Sequence, residues 1–189
     1  MADLFIADMH LNHPNILSYD NRPFVSIEEH DETIRRNWKS NVKTTDDVYI
    51  CGDVCFGDAK TAVRLLKDLP GRKHLLIGNH DKKLIKDKEF RALFVEIKDY
   101  IELKLDNNKI IVLSHYPIPC FNKHYYGSYH LYGHVHDSFE AKMMEHIKLE
   151  MEQLYTVPCN MFNVGVMMPH MNYTPRTLEH IINNYGKAC

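Results

Sequence analysis

Five short apolar runs in this sequence each end in residues able to bind a metal or move a proton. Leu4-Phe5-Ile6-Ala7 runs into Asp8-Met9-His10, and Val48-Tyr49-Ile50-Cys51 into Gly52-Asp53. His74-Leu75-Leu76-Ile77 leads to Gly78-Asn79-His80-Asp81, Ile110-Ile111-Val112-Leu113 to Ser114-His115, and Tyr129-His130-Leu131-Tyr132 to Gly133-His134-Val135-His136. Polar groups at the end of a buried strand are penalised by desolvation unless each finds a partner. A metal and a phosphate would supply those partners. The candidate ligands are Asp8, His10, Asp53, Asn79, His115, His134 and His136. Carboxylate, imidazole and one neutral amide together suit first-row cations such as Mn, Fe, Ni or Zn. They are too numerous for one tetrahedral site, and two sites sharing one carboxylate account for the number better. Two metals about 3.5–4 Å apart can clamp a phosphoryl group and generate a hydroxide between them.

The spacings fit this chemistry. In Asp8-x-His10 and His134-x-His136, residues two apart on an extended segment face the same way. Gly52, Gly78 and Gly133 each precede a candidate ligand, where the backbone must turn sharply. His80 has no obvious ligand role; beside the metals it could stabilise phosphate charge or protonate the leaving oxygen, with Asp81 orienting it. Arg22 could grip a substrate phosphate bidentately, and His13 lies close behind the first motif as a second substrate-binding candidate. Lys82, Lys83, Lys86, Lys88 and Arg91 could steer anions, but the interleaved Asp81, Asp87 and Glu89 favour a solvated helix face. The aromatic loop from Phe121 to Tyr132 reads more readily as core edge than as a base-stacking platform.

The elements that must position these residues follow from pattern. Residues 3–7 form a buried strand. Ser26 with Glu29 makes a capping box for a helix to about Val42, with Ile34, Trp38 and Val42 on one face. Thr45-Asp46-Asp47 turns into the second strand, and Asp58 caps a helix through Leu69 that Pro70-Gly71 stops. The third strand is 72–77, followed by a charged helical stretch at 82–94. Val95–Leu105 and Lys109–Leu113 flank Asp106-Asn107-Asn108, a hairpin signal. A strand at 129–132, a helix at 138–154 and a strand at 161–166 come next. Thr174-Pro175 should open a closing helix that ends at Gly186. Strands ending in ligands are how open α/β sheets build their sites. The expected fold is α/β, two packed mixed β-sheets flanked by helices.

At 189 residues the chain is expected to form a single domain, 1–189, with a real core. A net charge of −2 lacks the basic footprint of a duplex nucleic-acid binder. Of 13 histidines, five sit in the strand-end motifs. The five cysteines, Cys51, Cys55, Cys120, Cys159 and Cys189, include no Cys-x-x-Cys pair, which favours free thiols and a cytoplasmic location. Cys51 and Cys55 flank Asp53 and read as buried small residues rather than soft ligands. No signal peptide is visible, and the longest uncharged stretch is broken by Pro158 and Pro169, so no membrane partner is expected.

Taken together, Asp8-x-His10, Gly52-Asp53, Gly78-Asn79-His80-Asp81, His115 and Gly133-His134-x-His136 resemble the calcineurin-like metallophosphoesterase superfamily over residues 4 to about 166. The Asn12-His13-x-Asn15 and Arg22-Pro23-Phe24 pattern is similar to its small bacterial and phage phosphoesterases. The resemblance implies a β-sandwich with a dinuclear site on one rim. It assigns one metal to Asp8, His10, Asp53 and His136, the other to Asp53, Asn79, His115 and His134, with Asp53 bridging. It also places His80 against the scissile phosphate and Asn163-Val164-Gly165 near the site. The implied activity is hydrolysis of a small phosphate ester, a phosphodiester or nucleotide favoured, with manganese among the candidate metals. The alternatives are a phosphomonoesterase and a non-catalytic protein-interaction scaffold. One departure matters: Val54-Cys55-Phe56-Gly57 stands where the protein-phosphatase branch carries a phosphate-clamping arginine, which argues against a phosphoprotein substrate.

Overall fold

The computed structural model describes residues 1–186. Its strands form two mixed sheets. The first contains β1 (Asp3–Ile6), β2 (Asp47–Ile50), β3 (Arg72–Leu76), β4 (Phe94–Lys98) and β9 (Arg176–Thr177), in the order β4-β3-β2-β1-β9. Its first four strands run parallel, and β9 runs antiparallel to β1. The second contains β5 (Tyr100–Lys104), β6 (Ile110–Ser114), β7 (Tyr129–Tyr132) and β8 (Asn160–Asn163), in that order. Here β5 and β6 form an antiparallel hairpin, while β6, β7 and β8 are parallel.

Strand β1 shows why the sheets stack. Successive side chains point to opposite faces, and both faces of β1 are buried. Leu4 and Ile6 join Val48, Ile50 and Leu75 against Ile34, Trp38, Leu65 and Leu66. Phe5 and Ala7 join Tyr49 and Leu76 against Ile111, Leu113, Leu131 and Phe162 of the other sheet. The run therefore has no polar face and shows no alternation in the sequence. The outer layer on the first sheet is α2 (Ile27–Asn41) and α3 (Ala59–Leu66); on the second, α5 (Phe139–Tyr155) covers Val112, Tyr132 and Met161 with Ile147 and Met151. Ser26 caps α2 by accepting from the Glu29 N–H, while the Glu29 carboxylate accepts from Val25 N–H rather than from Ser26. Asp58 caps α3 by accepting from Thr61 N–H.

Three expectations are corrected. The charged stretch 82–94 is not one helix: a 3₁₀ turn at Leu84–Lys86 is followed by the short α4 (Lys88–Arg91). The Asp87 carboxylate accepts from the Glu89 and Phe90 N–H groups, so it starts a new helix instead of continuing an old one. Val95–Leu105 is not one arm of a hairpin. It breaks at Asp99 into β4, paired with β3, and β5, paired with β6, so the chain crosses between sheets there. The closing helix α6 (Leu178–Asn184) is capped by Thr177, not Thr174, because Arg176 and Thr177 first pair with Phe5 and Leu4 of β1. The short α1 (Ile16–Tyr19) lies in the loop after the first motif, and no helix among the described residues is long and apolar enough to cross a membrane.

Candidate metal centre

The parallel runs β1-β2-β3 and β6-β7-β8 place all five motifs at one rim, where the two sheets are laced together. Ala7 N–H donates to Val164 O, and Val166 N–H donates back to Ala7 O. Beyond the sheet, the ends of β1 and β2 continue side by side through Asp8 N–H to Gly52 O, His10 N–H to Asp53 O and Leu11 N–H to Val54 O. The backbone at this rim is unusual. Asp8, His10, Asp53, His134 and His136 are non-glycine residues with φ between 46° and 71°. Such conformations cost on the order of 1–3 kcal/mol each and persist only where the surroundings impose them. Two glycines are required by close approach: a Cβ on Gly52 would run into the His115 ring, and one on Gly78 into the Asp53 carboxylate.

Asp53, 2% exposed, is the centre of the arrangement. Its Oδ2 lies 3.5 Å from His10 Nε2 and 3.5 Å from His115 Nε2. On one flank, ligand atoms of Asp8, His10, Asp53 and His136 all fall within 4.8 Å of one another. His10 Nε2 faces His136 Nε2 at 3.2 Å. On the other flank, Asn79 Oδ1 is 2.9 Å from His115 Nε2 and 3.0 Å from His134 Nδ1. All seven residues singled out in the sequence therefore meet at this rim.

The donor set fits a cation. His115 Nδ1 donates to Cys51 O at 2.9 Å, so a neutral His115 ring turns a lone pair, not a proton, toward Asn79 Oδ1. His136 Nδ1 is 2.7 Å from Asp20 Oδ1, which orients the ring with Nε2 toward the cluster. Acceptor thus faces acceptor, beside two carboxylates removed from water. Burial pushes the Asp8 carboxyl up and the His10 imidazole down, the protein's own response to unmatched charge in a dry site. Cys51 and Cys55 are buried, and burial raises both thiols, Cys55 to about 12, so neither offers a ready thiolate.

Two sequence-level assignments are corrected. Arg22, expected to hold a substrate phosphate, is 4% exposed, and all five of its N–H groups are engaged. They reach Asp20 Oδ2 (2.7 and 2.9 Å), Asp8 O (2.9 Å), Met9 O (3.1 Å) and His30 Nε2 (2.8 Å). Asp81, expected to orient the His80 ring, is buried and instead accepts from the Gly78, Asp53 and Val54 N–H groups at 2.9–3.0 Å. It ties the Asn79 turn to the Asp53 turn. His80 is held through its own backbone N–H, 3.0 Å from Asp53 Oδ1, while its ring is 41% exposed with Nε2 4.0 Å from Asp53 Oδ2. His13 packs beside the site, its ring centroid 5.7 Å from that of His10 and 4.0 Å from that of Phe56.

Asp20 is the residue that sequence reading missed. Burial alone would raise its carboxyl, but bonds from His136 and Arg22 outweigh that and hold it below the ordinary carboxylate range. A row of side chains results: Asp31 holds His30, His30 meets Arg22, Arg22 holds Asp20, and Asp20 orients His136. The spacing Asp20-x-Arg22 was the available signal, a carboxylate and a guanidinium close enough along the chain to pair.

No protein-family model matches the chain. An uncharacterized protein of Methanocaldococcus jannaschii is 29% identical over 185 residues, covering 97% of this chain and 90% of that one. The crystal structure of a protein of unknown function from Aquifex aeolicus is similar at a TM-score of 0.68 and 27% identity, over 96% of this chain and 97% of that one. That likeness supports the α/β fold with its two mixed sheets. A nuclease MPE from Pseudomonas putida aligns with 71% of this chain and 60% of its own at a TM-score of 0.42 and 19% identity, too slight a likeness to argue from.

Proposed function

We propose that this chain is a single-domain, metal-dependent phosphoesterase of the calcineurin-like metallophosphoesterase type, hydrolysing a small phosphodiester or nucleotide. The observation that carries this reading is the position of Asp53. One carboxylate oxygen stands equally close to His10 and His115, with Asp8 and His136 on one side and Asn79 and His134 on the other. Asp8, His10, Asp53 and His136 would hold one divalent ion, and Asp53, Asn79, His115 and His134 a second. When bound, such a pair supplies Lewis acidity toward the phosphoryl oxygens and lowers the pKa of water for attack at phosphorus.

The chain's own residues supply the rest. Asp20 and Arg22 fix the His136 ring so that Nε2 points inward. Asp81 gathers three backbone N–H groups and so fixes the Asn79 and Asp53 turns relative to each other. His80, the exposed imidazole at the mouth, would hold a proton for the leaving oxygen or stabilise charge on the phosphate, a role its exposure beside Asp53 supports. The test is a metal-reconstituted assay with bis-p-nitrophenyl phosphate beside p-nitrophenyl phosphate, run with Mn, Fe, Ni and Zn. Faster turnover of the diester is expected. A protein that binds these metals and cleaves neither ester is a scaffold or a metal-binding protein, and the enzyme reading is then wrong.

A further inference from the structure

A cavity of about 440 Å³ opens beside Asn79 and His80, walled by Cys55, Phe56 and Gly57 and by Lys82 and Lys83. Its aromatic wall is fixed in place. Phe56 N–H donates to Leu11 O, and Phe56 O accepts from Asn12 Nδ2 at 2.8 Å, so the tip of the β2 extension is tied to that of β1. The Phe56 ring packs on His13 and lies 5.4 Å from the His80 ring, yet 41% of the residue stays exposed. The ring thus stands at the mouth of a polar site, beside His80 and the two lysines. All five residues of the basic run are exposed, as a solvated face requires, and two of them, Lys82 and Lys83, also line the cavity. Asp81 is buried and Asp87 caps α4, so neither shields Lys82 or Lys83, and these two lysines line the cavity without an ion pair among the described residues.

Resting on the phosphoesterase reading, we infer that this cavity is a subsite for the nucleotide next to the scissile phosphate, its base on Phe56 and its outer phosphate on Lys82 and Lys83. The substrate class is then a short single-stranded oligonucleotide. Any base can stack on an aromatic ring, and two flexible ammonium groups suit a phosphate whose exact place varies. A simple monoester would leave both features idle. A duplex would need a broad basic surface that a chain of net charge −2 lacks.

The test is titration calorimetry of the metal-loaded protein with a 5′-phosphorylated thymidine trinucleotide whose phosphorothioate linkages resist hydrolysis. Analogues carry an abasic unit at each position in turn, or lack the terminal phosphate. One abasic replacement should weaken binding about tenfold in the native protein. The same replacement should cost nothing in Phe56→Ala or in Phe56→Leu, which keeps apolar bulk without a ring. Lys82→Ala with Lys83→Ala should flatten the salt dependence and abolish the effect of the terminal phosphate. Undetectable trinucleotide binding, or an abasic penalty that survives in both Phe56 variants, overturns the subsite. Hydrolysis of bis-p-nitrophenyl phosphate without Phe56-dependent binding refutes the subsite alone. Phe56-dependent binding without hydrolysis of any ester leaves the subsite standing and refutes the enzyme.

Discussion

On one flank of Asp53, the His136 ring leans on Asp20, Asp20 on Arg22, and Arg22 on His30 and on the carbonyls of Asp8 and Met9. On the other flank, His115 leans on a single backbone carbonyl, that of Cys51, and Asn79 lines the open cavity beside the site. The first flank is built from a layer of charged side chains under the ligands. The second is built into the strand ends themselves. A side-chain layer can be removed without touching the sheet, so the two flanks should fail separately.

The largest effect should come from the residue the flanks share. Asp53→Asn should lose both metals and lower turnover by about 10³-fold or more, given several kcal/mol of charge stabilisation. Metal analysis after desalting, alongside bis-p-nitrophenyl phosphate kinetics, checks this; a variant that keeps one metal in full would mean the flanks do not share Asp53. His80→Ala should keep both metals and lower turnover about 10²-fold. Unchanged turnover would remove His80 from the reaction.

Smaller and more one-sided is the effect of the supporting layer. Asp20→Asn should weaken one metal of the two by about 10–100-fold, the usual effect of removing a ligand's hydrogen-bond partner. Calorimetric titration should show one binding phase shifted and the other unmoved. Equal weakening of both phases would erase the distinction between the flanks.

The smallest effect contrasts a histidine on β7 with one just past its end. His134 joins the site, whereas His130, four residues earlier, is buried and structural: Nδ1 donates to Val112 O and Nε2 accepts from Ile118 N–H. Burial lowers the His130 imidazole to about 4. The unfolded chain, with its ordinary value near 6.5, takes up the proton first as pH falls. The stability that neutral His130 confers is complete above about pH 6.5 and is lost toward pH 4, amounting to about 2 kcal/mol at pH 5. Urea unfolding of metal-free protein at pH 7.5 and pH 5, against a His130→Gln variant, should show this difference; identical pH dependence in the two would contradict it.

The strand ends were legible in the sequence because each combines two local signals, a buried apolar run and a polar turn. Where the signal was tertiary it could not be read. Val95–Leu105 alternates apolar and charged residues on both sides of Asp99, and nothing local says that β4 and β5 belong to different sheets. Thr174 and Thr177 are both capable caps, and pairing with β1 decides between them. Arg22 was singled out to grip a phosphate and Asp81 to orient His80, and both instead bond to the backbone of the turns around the centre. Charge type is written in the sequence, but whether a guanidinium or carboxylate turns outward or into the backbone is set by the loop that folds over it. The left-handed backbone at Asp8, His10, Asp53, His134 and His136 has only a weak local signature, since Asp and His are enriched in that region but seldom adopt it.

The most direct test of the account is electron paramagnetic resonance of the protein loaded with two equivalents of Mn²⁺. If Asp53 touches both ions, the spectrum should be that of an exchange-coupled pair, and Asp53→Asn should abolish it. The plain hyperfine pattern of isolated Mn²⁺ in the fully loaded native protein would mean that the two flanks do not form one centre.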